Sequence, residues 1–137
     1  MVDGKPPSNQ NDDLKSGSSS SKEALEKDAV LCMRFSQDGN SLVITTANGF
    51  RVFDVTSNGE LVMVFDVNTI PQVVQIQRLF NSNLVAFVSA LDLHLLRVFN
   101  MKRNDVICDH RYKEKIRWLS MNRIRVVVAT EKKVIID

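Results

Sequence analysis

The sequence predicts an all-β fold made of repeated, four-stranded units. Short apolar segments recur along the chain with turn residues between them. Two of these segments echo each other, because Phe50–Val55 and Leu96–Met101 share a pattern that places Arg51 and Arg97 46 residues apart. A third segment, Leu84–Ser89, is apolar almost throughout, as expected for a strand buried on both faces. A period in the 40s with about four strands per repeat is typical of propeller blades, so we predict a partial, WD40-like β-propeller.

Residues 1–28 differ sharply in composition from the rest of the chain. They contain two of the three prolines, a run of four serines and few apolar residues. Such a segment buries too little apolar surface to offset the entropy lost on ordering. We therefore predict that residues 1–28 form a disordered, serine-rich tail.

Residues 29–137 are predicted to form the partial propeller. We expect blade one at residues 29–67, blade two at 72–112 and an incomplete blade three at 115–137, because the sequence stops inside the third repeat. A closed propeller needs four to eight blades of about 40 residues each, which is more than this sequence supplies. The prediction is thus about two and a half to three blades, each covering the apolar face of the next.

Blade one carries the clearest turn signals. Gly39 follows Asp38 in a turn that favours a positive φ, and Asn48-Gly49 is a dipeptide typical of tight hairpins. Four strands are predicted around these turns: Leu31–Phe35, Leu42–Thr46, Phe50–Val55 and Glu60–Asp66.

Blades two and three follow the same plan with weaker signals. The first strand of blade two, Val73–Phe80, alternates, which predicts Val73 and Ile76 on opposite faces. Ala90–His94 is less turn-like than Asn48-Gly49 and is expected to form a longer loop. Trp118 is expected to be a core anchor. The other predicted strands are Leu84–Ser89, Leu96–Met101, Asp105–Arg111, Lys115–Asn122, Arg125–Thr130 and Lys133–Asp137.

No arrangement of residues in the sequence is typical of catalysis. His94 and His110 have no metal-ligand spacing to Cys, Asp or Glu, and the sequence has no glycine-rich phosphate loop. Cys32 and Cys108 are expected to be small core residues that form no disulfide. We therefore expect a binding protein rather than an enzyme, with no cofactor and no metal.

The composition is ordinary for a globular domain, with 44% hydrophobic and 25% charged residues. No apolar run approaches the roughly 20 residues that a membrane-spanning helix needs. No apolar stretch follows Lys5, so a secretory signal is not expected. These observations favour a cytoplasmic protein.

Positive charge is concentrated between Lys102 and Lys133, which include ten Lys or Arg residues and four acids. One interpretation is a solvated blade edge, on which lysines keep exposed strands from pairing. The other is a patch that binds a protein partner or an anionic surface. Nucleic acid is not expected as a partner, because Tyr112 is the only candidate for an exposed stacking aromatic in this segment.

Several segments within residues 29–137 together are similar to one known family. They are Phe35–Asp38 and Ala47–Val52 in blade one, Gln77–Ser89 and Asp105–Cys108 in blade two, and Met121–Val128 with Ile136-Asp137 in blade three. In order and spacing they resemble the PROPPIN family, the WIPI-type propellers of autophagy. The Gly-His and Trp-Asp signatures of ordinary WD40 repeats are missing from the sequence.

The resemblance implies a seven-bladed propeller that binds phosphatidylinositol 3-phosphate and phosphatidylinositol 3,5-bisphosphate. Such a protein recruits autophagy factors to the forming autophagosome, as a peripheral protein of the pre-autophagosomal or endosomal membrane. The family's lipid sites flank a Phe-Arg-Arg-Gly motif in the fifth and sixth blades. This sequence has no Arg-Arg pair, so no lipid-binding residue is assigned in it. We expect an N-terminal fragment or truncated isoform that lacks the lipid-binding blades.

The resemblance also implies a partner surface around blades two and three. Arg123 matches its basic position, and Arg125 is its neighbour on the same strand edge. We expect both to contact autophagy proteins of the lipid-conjugation and lipid-transfer machinery. The alternative for these residues is that they are ordinary turn arginines. The alternative for the whole protein is a generic WD40-type interaction scaffold that binds no lipid.

Overall fold

The chain folds as a series of antiparallel sheets. The computed structural model describes residues 29–137, so the predicted tail at residues 1–28 lies outside the described residues. The strands of the described part, in chain order, are β1 Cys32–Phe35, β2 Ser41–Thr45, β3 Phe50–Val55, β4 Leu61–Val67, β5 Val73–Arg78, β6 Leu84–Ser89, β7 Asp92–Asn100, β8 Asp105–Arg111, β9 Trp118–Met121, β10 Val126–Ala129 and β11 Val134–Ile136. Residues 29–137 include no helix of the length and apolar character needed to cross a membrane.

Each sheet is a meander in which consecutive strands pair. The strand orders are β1-β2-β3-β4, β5-β6-β7-β8 and β9-β10-β11, all antiparallel. The predicted strands Phe50–Val55, Leu84–Ser89 and Asp105–Arg111 have the observed bounds. The largest shortening is in the third sheet, where the predicted strand Lys115–Asn122 is reduced to Trp118–Met121. The repeated four-stranded unit, and with it the all-β prediction, is confirmed.

The sheets pack face to face, with the second between the first and the third. Strand β6 lies at the centre of this arrangement, and its four middle residues are fully buried. Val85 and Phe87 belong to a core cluster shared with the first sheet, whereas Ala86 and Val88 belong to a cluster shared with the third. The two clusters use the two faces of one strand, because successive side chains of a strand point to opposite faces. This serial stacking is the partial β-propeller that the sequence predicts.

The innermost strands of the three sheets are β1, β5 and β9, which lie side by side. Gln77 of β5 donates a hydrogen bond to the carbonyl oxygen of Phe35 at 3.2 Å. Arg34 of β1 donates to the carbonyl oxygen of Leu119 in β9. The first and third sheets are therefore linked directly as well as through the second.

Two expectations for the second sheet are wrong. Val73 and Ile76 pack into the same core cluster, because the register between β5 and β6 shifts between Val73 and Gln75. This irregularity puts two residues at odd spacing on one face. The longer loop expected at Ala90–His94 is also absent, since β7 begins at Asp92 and a short turn remains, in which Ser89 accepts a hydrogen bond from the backbone N–H of Leu91.

Three side chains also lie in unexpected environments. Trp118, predicted as a core anchor, is 53% exposed, and its ring is covered by the guanidinium of Arg34 at 4.6 Å. Tyr112, considered as an exposed aromatic, is buried in the second core cluster. Cys108, predicted to be a core residue, is exposed because it lies on the outermost strand β8, whereas Cys32 is half-buried against the first cluster.

Candidate protein-binding surface

Each inner strand ends in a short turn that leads to the second strand of its sheet. The turns lie at residues 36–40 after β1, 79–83 after β5 and 122–125 after β9. Because the inner strands run side by side, these turns gather at one end of the three sheets. We call the group formed by Gln37, Phe80, Arg123, Ile124 and Arg125 the inner-turn surface.

The first turn is fixed by a carboxylate. Asp38 Oδ1 accepts hydrogen bonds from the backbone N–H of Asn40 at 3.0 Å and from the hydroxyl of Ser36 at 2.9 Å. The bond from Asn40, followed by that from Ser36, holds the pKa of Asp38 below its usual value. Gly39 closes the turn with a φ of +75°, as the sequence predicts. Gln37 is thus held on a well-defined backbone.

The second turn is organised by a buried arginine. Arg78 is 6% exposed, and its Nε and Nη2 atoms donate to the carbonyl oxygens of Ser82 and Asn81, each at 3.0 Å. These bonds hold the turn over the end of β5. The turn includes Phe80, whose φ of +52° lies in the left-handed region that non-glycine residues rarely occupy.

Arg78 also ties this turn to the first sheet. Its Nη1 atom donates to the hydroxyl of Ser41 at 2.8 Å and to Asp54 Oδ1 at 3.0 Å. Every nitrogen of the guanidinium therefore has a hydrogen-bond acceptor, which a buried arginine requires. The position of Phe80 depends on both sheets as a result.

The third turn presents the two arginines predicted from the sequence. Asn122 Oδ1 accepts hydrogen bonds from the backbone N–H groups of Ile124 and Arg125, both at 2.8 Å. This closed turn leaves Ile124 81% exposed. Arg123 and Arg125 are exposed on either side of it, and the guanidinium of Arg123 lies 4.4 Å from the centre of the Phe80 ring. That distance is within the range of a cation–π contact.

The amide of Gln37 joins the three turns into one surface. Its Oε1 atom accepts a hydrogen bond from the backbone N–H of Phe80 at 2.8 Å. Its Nε2 atom donates to the carbonyl oxygen of Met121, the residue before Asn122. One side chain from the first sheet is therefore bonded to the second and third sheets.

The arginines of the basic segment fall into two groups. Arg103 pairs with Asp105, Arg111 with Asp92, and Arg117 with Glu131. Arg123 and Arg125 form no ion pair with any acidic side chain of residues 29–137. Three of the five arginines in this segment are therefore paired locally with acids, and the two without such a pair within residues 29–137 lie on the inner-turn surface.

The histidines and cysteines do not form a site in the described part of the chain. His94 Nδ1 lies 3.2 Å from the carbonyl oxygen of Tyr112, and the ring of His110 packs 4.5 Å from the Tyr112 ring. The first is a contact at hydrogen-bond distance between β7 and the residue that follows β8, and the second joins residues two positions apart at the end of β8. Across residues 29–137 no three His, Cys, Asp or Glu side chains are grouped so that they could hold a metal ion.

Sequence reasoning selected Arg123 and Arg125 but missed Gln37 and Phe80. Gln37 and Phe80 lie within the Phe35–Asp38 and Gln77–Ser89 segments that carry part of the family resemblance, which is the one signal that pointed to them. Nothing in the sequence indicates the left-handed backbone of Phe80. The role of the two arginines in partner binding stays a prediction.

Comparison with known proteins gives a consistent family. The PROPPIN family model matches residues 29–137. Over 108 residues the chain is 35% identical to mouse (Mus musculus) WD repeat domain phosphoinositide-interacting protein 1, covering 79% of this chain and 24% of that protein. It is 27% identical over 110 residues to autophagy-related protein 18 of Caenorhabditis elegans, covering 76% of this chain and 27% of that protein. The chain spans about a quarter of the length of the curated relatives it matches.

Solved structures confirm the fold. Kluyveromyces lactis Hsv2 superposes with a TM-score of 0.70 at 22% identity, covering 80% of this chain and 32% of that chain. KlAtg21, in a complex with the coiled coil of AgAtg16, superposes with a TM-score of 0.68 at 20% identity, covering 79% and 36% of the two chains. The family match over residues 29–137 and the shared partial propeller lead to one conclusion: this chain belongs to the PROPPIN family.

Proposed function

We propose that this chain is the partner-binding part of a phosphoinositide-effector scaffold of autophagy. In such a scaffold, a propeller bound to phosphatidylinositol 3-phosphate recruits autophagy proteins to the forming autophagosome membrane. Family membership and the names of the relatives, which include phosphoinositide-interacting and autophagy-related proteins, support this proposal. The proposed activity is binding, with no catalytic step.

One observation carries the assignment of partner binding. Arg123 and Arg125 lie on the exposed third inner turn, form no ion pair within residues 29–137 and flank the exposed side chain of Ile124. Two guanidinium groups beside an apolar side chain suit a helical segment with acidic residues next to an apolar one. We propose that autophagy proteins of the lipid-conjugation and lipid-transfer machinery supply this segment. A relative with the same fold, KlAtg21, forms a complex with a coiled coil of AgAtg16.

Lipid binding is proposed for the whole family protein and not for these residues. The chain contains no Phe-Arg-Arg-Gly motif, and its surface arginines outside the inner turns pair with acids. We propose that phosphatidylinositol 3-phosphate and phosphatidylinositol 3,5-bisphosphate bind to other blades. The whole protein would then be peripheral to the pre-autophagosomal or endosomal membrane.

Calorimetric titration of the chain with the AgAtg16 coiled coil tests partner binding. The variant Arg123→Glu/Arg125→Glu should lose binding at least tenfold, because like charges replace complementary ones at the contact. The matched control is Lys132→Glu/Lys133→Glu, which makes the same charge change in the turn between β10 and β11 and should leave binding unchanged. Equal losses in the two variants would show a non-specific charge effect and contradict the assignment.

Liposome flotation tests the proposal that this chain binds protein partners while other blades bind the lipid. Liposomes with and without phosphatidylinositol 3-phosphate should carry equally little of this chain to the top of the gradient. Flotation that depends on the phosphoinositide would contradict the proposal that the lipid sites lie on other blades.

A further inference from the structure

We propose that Gln37 is a positioning residue, which sets the guanidinium of Arg123 for partner binding by holding both sides of the Arg123–Phe80 contact. This inference rests on the proposed function of the inner-turn surface. The hydrogen bonds of the Gln37 side chain go to the backbone of Phe80 and Met121, and so reach neither the ring nor the guanidinium. Its effect on Arg123 is therefore indirect.

One half of the amide fixes the ring. Gln37 Oε1 accepts the backbone N–H of Phe80 at 2.8 Å, and that residue has a φ of +52°. A left-handed phenylalanine persists only where its surroundings determine the backbone on more than one side. Arg78 holds the turn through the carbonyl oxygens of Asn81 and Ser82, and Gln37 supplies the bond on the side of the Phe80 N–H. Without that bond, the ring loses its fixed direction.

The other half of the amide fixes the turn that bears the arginine. Gln37 Nε2 donates to the carbonyl oxygen of Met121, the last residue of β9. Asn122 follows directly and closes the turn through the N–H groups of Ile124 and Arg125. The spacing between the Phe80 ring and the Arg123 backbone is thus set by one side chain from a different sheet.

The chemistry of the site requires an amide at position 37. The side chain must accept a hydrogen bond from one backbone and donate one to another, and glutamine does both at this length. Methionine has a similar length, but it cannot donate and its sulfur is only a weak acceptor. Glutamate can accept but not donate when it is ionised. Gln37 is itself exposed, so its replacement should cost little stability.

Holding Arg123 on the ring prepares it for binding. An arginine that is already stacked loses less side-chain freedom when it pairs with a carboxylate. Releasing Arg123 should therefore weaken binding by about fivefold, the ordering cost of one long side chain. Arg125 belongs to the same turn but makes no contact with Phe80 that the structure shows, so it serves as an internal reference.

The first arm of the test needs no partner. Phenylglyoxal modifies exposed arginines, and peptide mass spectrometry measures how fast Arg123 and Arg125 react. The rates are compared between the chain with its original sequence, the variant Gln37→Met and the control variant Gln77→Met. Gln77, which is buried, also bridges inner strands through the carbonyl oxygen of Phe35, but its side chain forms no hydrogen bond to the third turn. Gln37→Met should raise the modification rate of Arg123 at least threefold relative to Arg125, and Gln77→Met should not. Thermal melts confirm that each variant is folded.

The second arm measures binding of the same variants to the AgAtg16 coiled coil. Gln37→Met should weaken it by about fivefold, and Gln77→Met should leave it unchanged. Unaltered Arg123 reactivity in Gln37→Met overturns the inference, and so does altered reactivity with unchanged binding. If the chain with its original sequence does not bind the coiled coil, the proposed function fails. The reactivity ratio then still decides whether Gln37 positions Arg123.

Discussion

Arg78 is a buried charge that holds the first two blades together. Its guanidinium bonds to Asp54 and Ser41 of the first sheet and to two carbonyl oxygens of its own turn. Arg78→Met would leave the Asp54 carboxylate and both carbonyl groups without this donor. We expect a loss of about 2 kcal/mol in the free energy of unfolding, because the buried guanidinium makes four hydrogen bonds whose acceptors then lack a donor, although water reaches the half-exposed Asp54 carboxylate. Urea denaturation of both chains measures the difference.

Arg97 provides a matched control for this substitution. Its ion pair with Asp109 has the same 3.0 Å separation as the Arg78–Asp54 pair, but both side chains are at least 40% exposed. Arg97→Met should therefore cost less than about 1 kcal/mol. Similar costs for the two substitutions would show that burial of Arg78 adds nothing to its pair.

Tyr112 is the single tyrosine of the chain, so an absorbance titration of phenolate reports on it alone. Burial, together with donation of its hydroxyl hydrogen to Asp137 Oδ2 and the charge of that carboxylate, raises the pKa of Tyr112 well above its usual value. A raised pKa in the folded state stabilises the fold fully below the unfolded value of about 10. This stabilisation is lost as the pH rises through the folded pKa.

The titration of the folded chain should thus show a phenolate midpoint above that of the chain in urea. Above pH 10 the stability should fall more steeply than in Tyr112→Phe, which has no phenol to ionise. A folded-state midpoint equal to the unfolded one would contradict the burial of Tyr112 and its hydrogen bond to Asp137.

The position of the hairpin between β2 and β3 is predicted correctly from the sequence, but the structural reason for its glycine is not. Asn48-Gly49 predicts the turn correctly, but Gly49 is not among the described residues with positive φ. A Cβ on Gly49 would lie 1.7 Å from the carbonyl oxygen of Val67 on β4. Glycine is needed here because another strand's backbone passes close to it.

Gly49→Ala should therefore destabilise the chain by about 3 kcal/mol or more, since a backbone atom cannot move aside as a side chain can. Gly39→Ala is the control. At that position φ is +75° and nothing lies within 4 Å of the added Cβ, so only the left-handed backbone is penalised, by about 1–2 kcal/mol. Thermal melts rank the two variants, and a greater loss in Gly39→Ala would refute the close approach of Val67.

Elements were predictable where the signal is local. Strand β6 is identified by its unbroken apolar run, and β3 by its turn residues and alternation. The register shift in β5 and the short turn before β7 depend on pairing with neighbouring strands, which a single sequence does not reveal. The exposure of Cys108 and Trp118 likewise depends on which strands lie outermost or innermost in a blade.

The candidate site was predictable only in part for the same reason. Arg123 and Arg125 are charged residues in a turn, which a sequence shows directly. The contributions of Gln37 and Phe80 come from bonds between residues 43 positions apart on different sheets. The part that Gln37 and Phe80 play in the site can be recognised only in the structure, where the three inner turns meet at one end of the sheets.

At the scale of the whole molecule, the middle sheet is covered on both faces and the outer two are not. Met33 and Phe35 of the first sheet and Val134 and Ile136 of the third are each more than half exposed. We propose that 29–67, 72–112 and 115–137 are the units of this stack. Their stability then depends mainly on nearest neighbours, as in other repeat proteins, with the direct bonds of Arg34 and Gln37 between the first and third sheets as an addition.

Hydrogen exchange resolved by residue is the most direct test of this stacking. We expect the slowest amide exchange in β6, from Val85 to Val88, because both of its faces and both of its edges are covered. The outermost strands β4 and β8 should exchange much faster. Equal protection of β6 and these outer strands would contradict the central claim that the second blade is buried between its two neighbours.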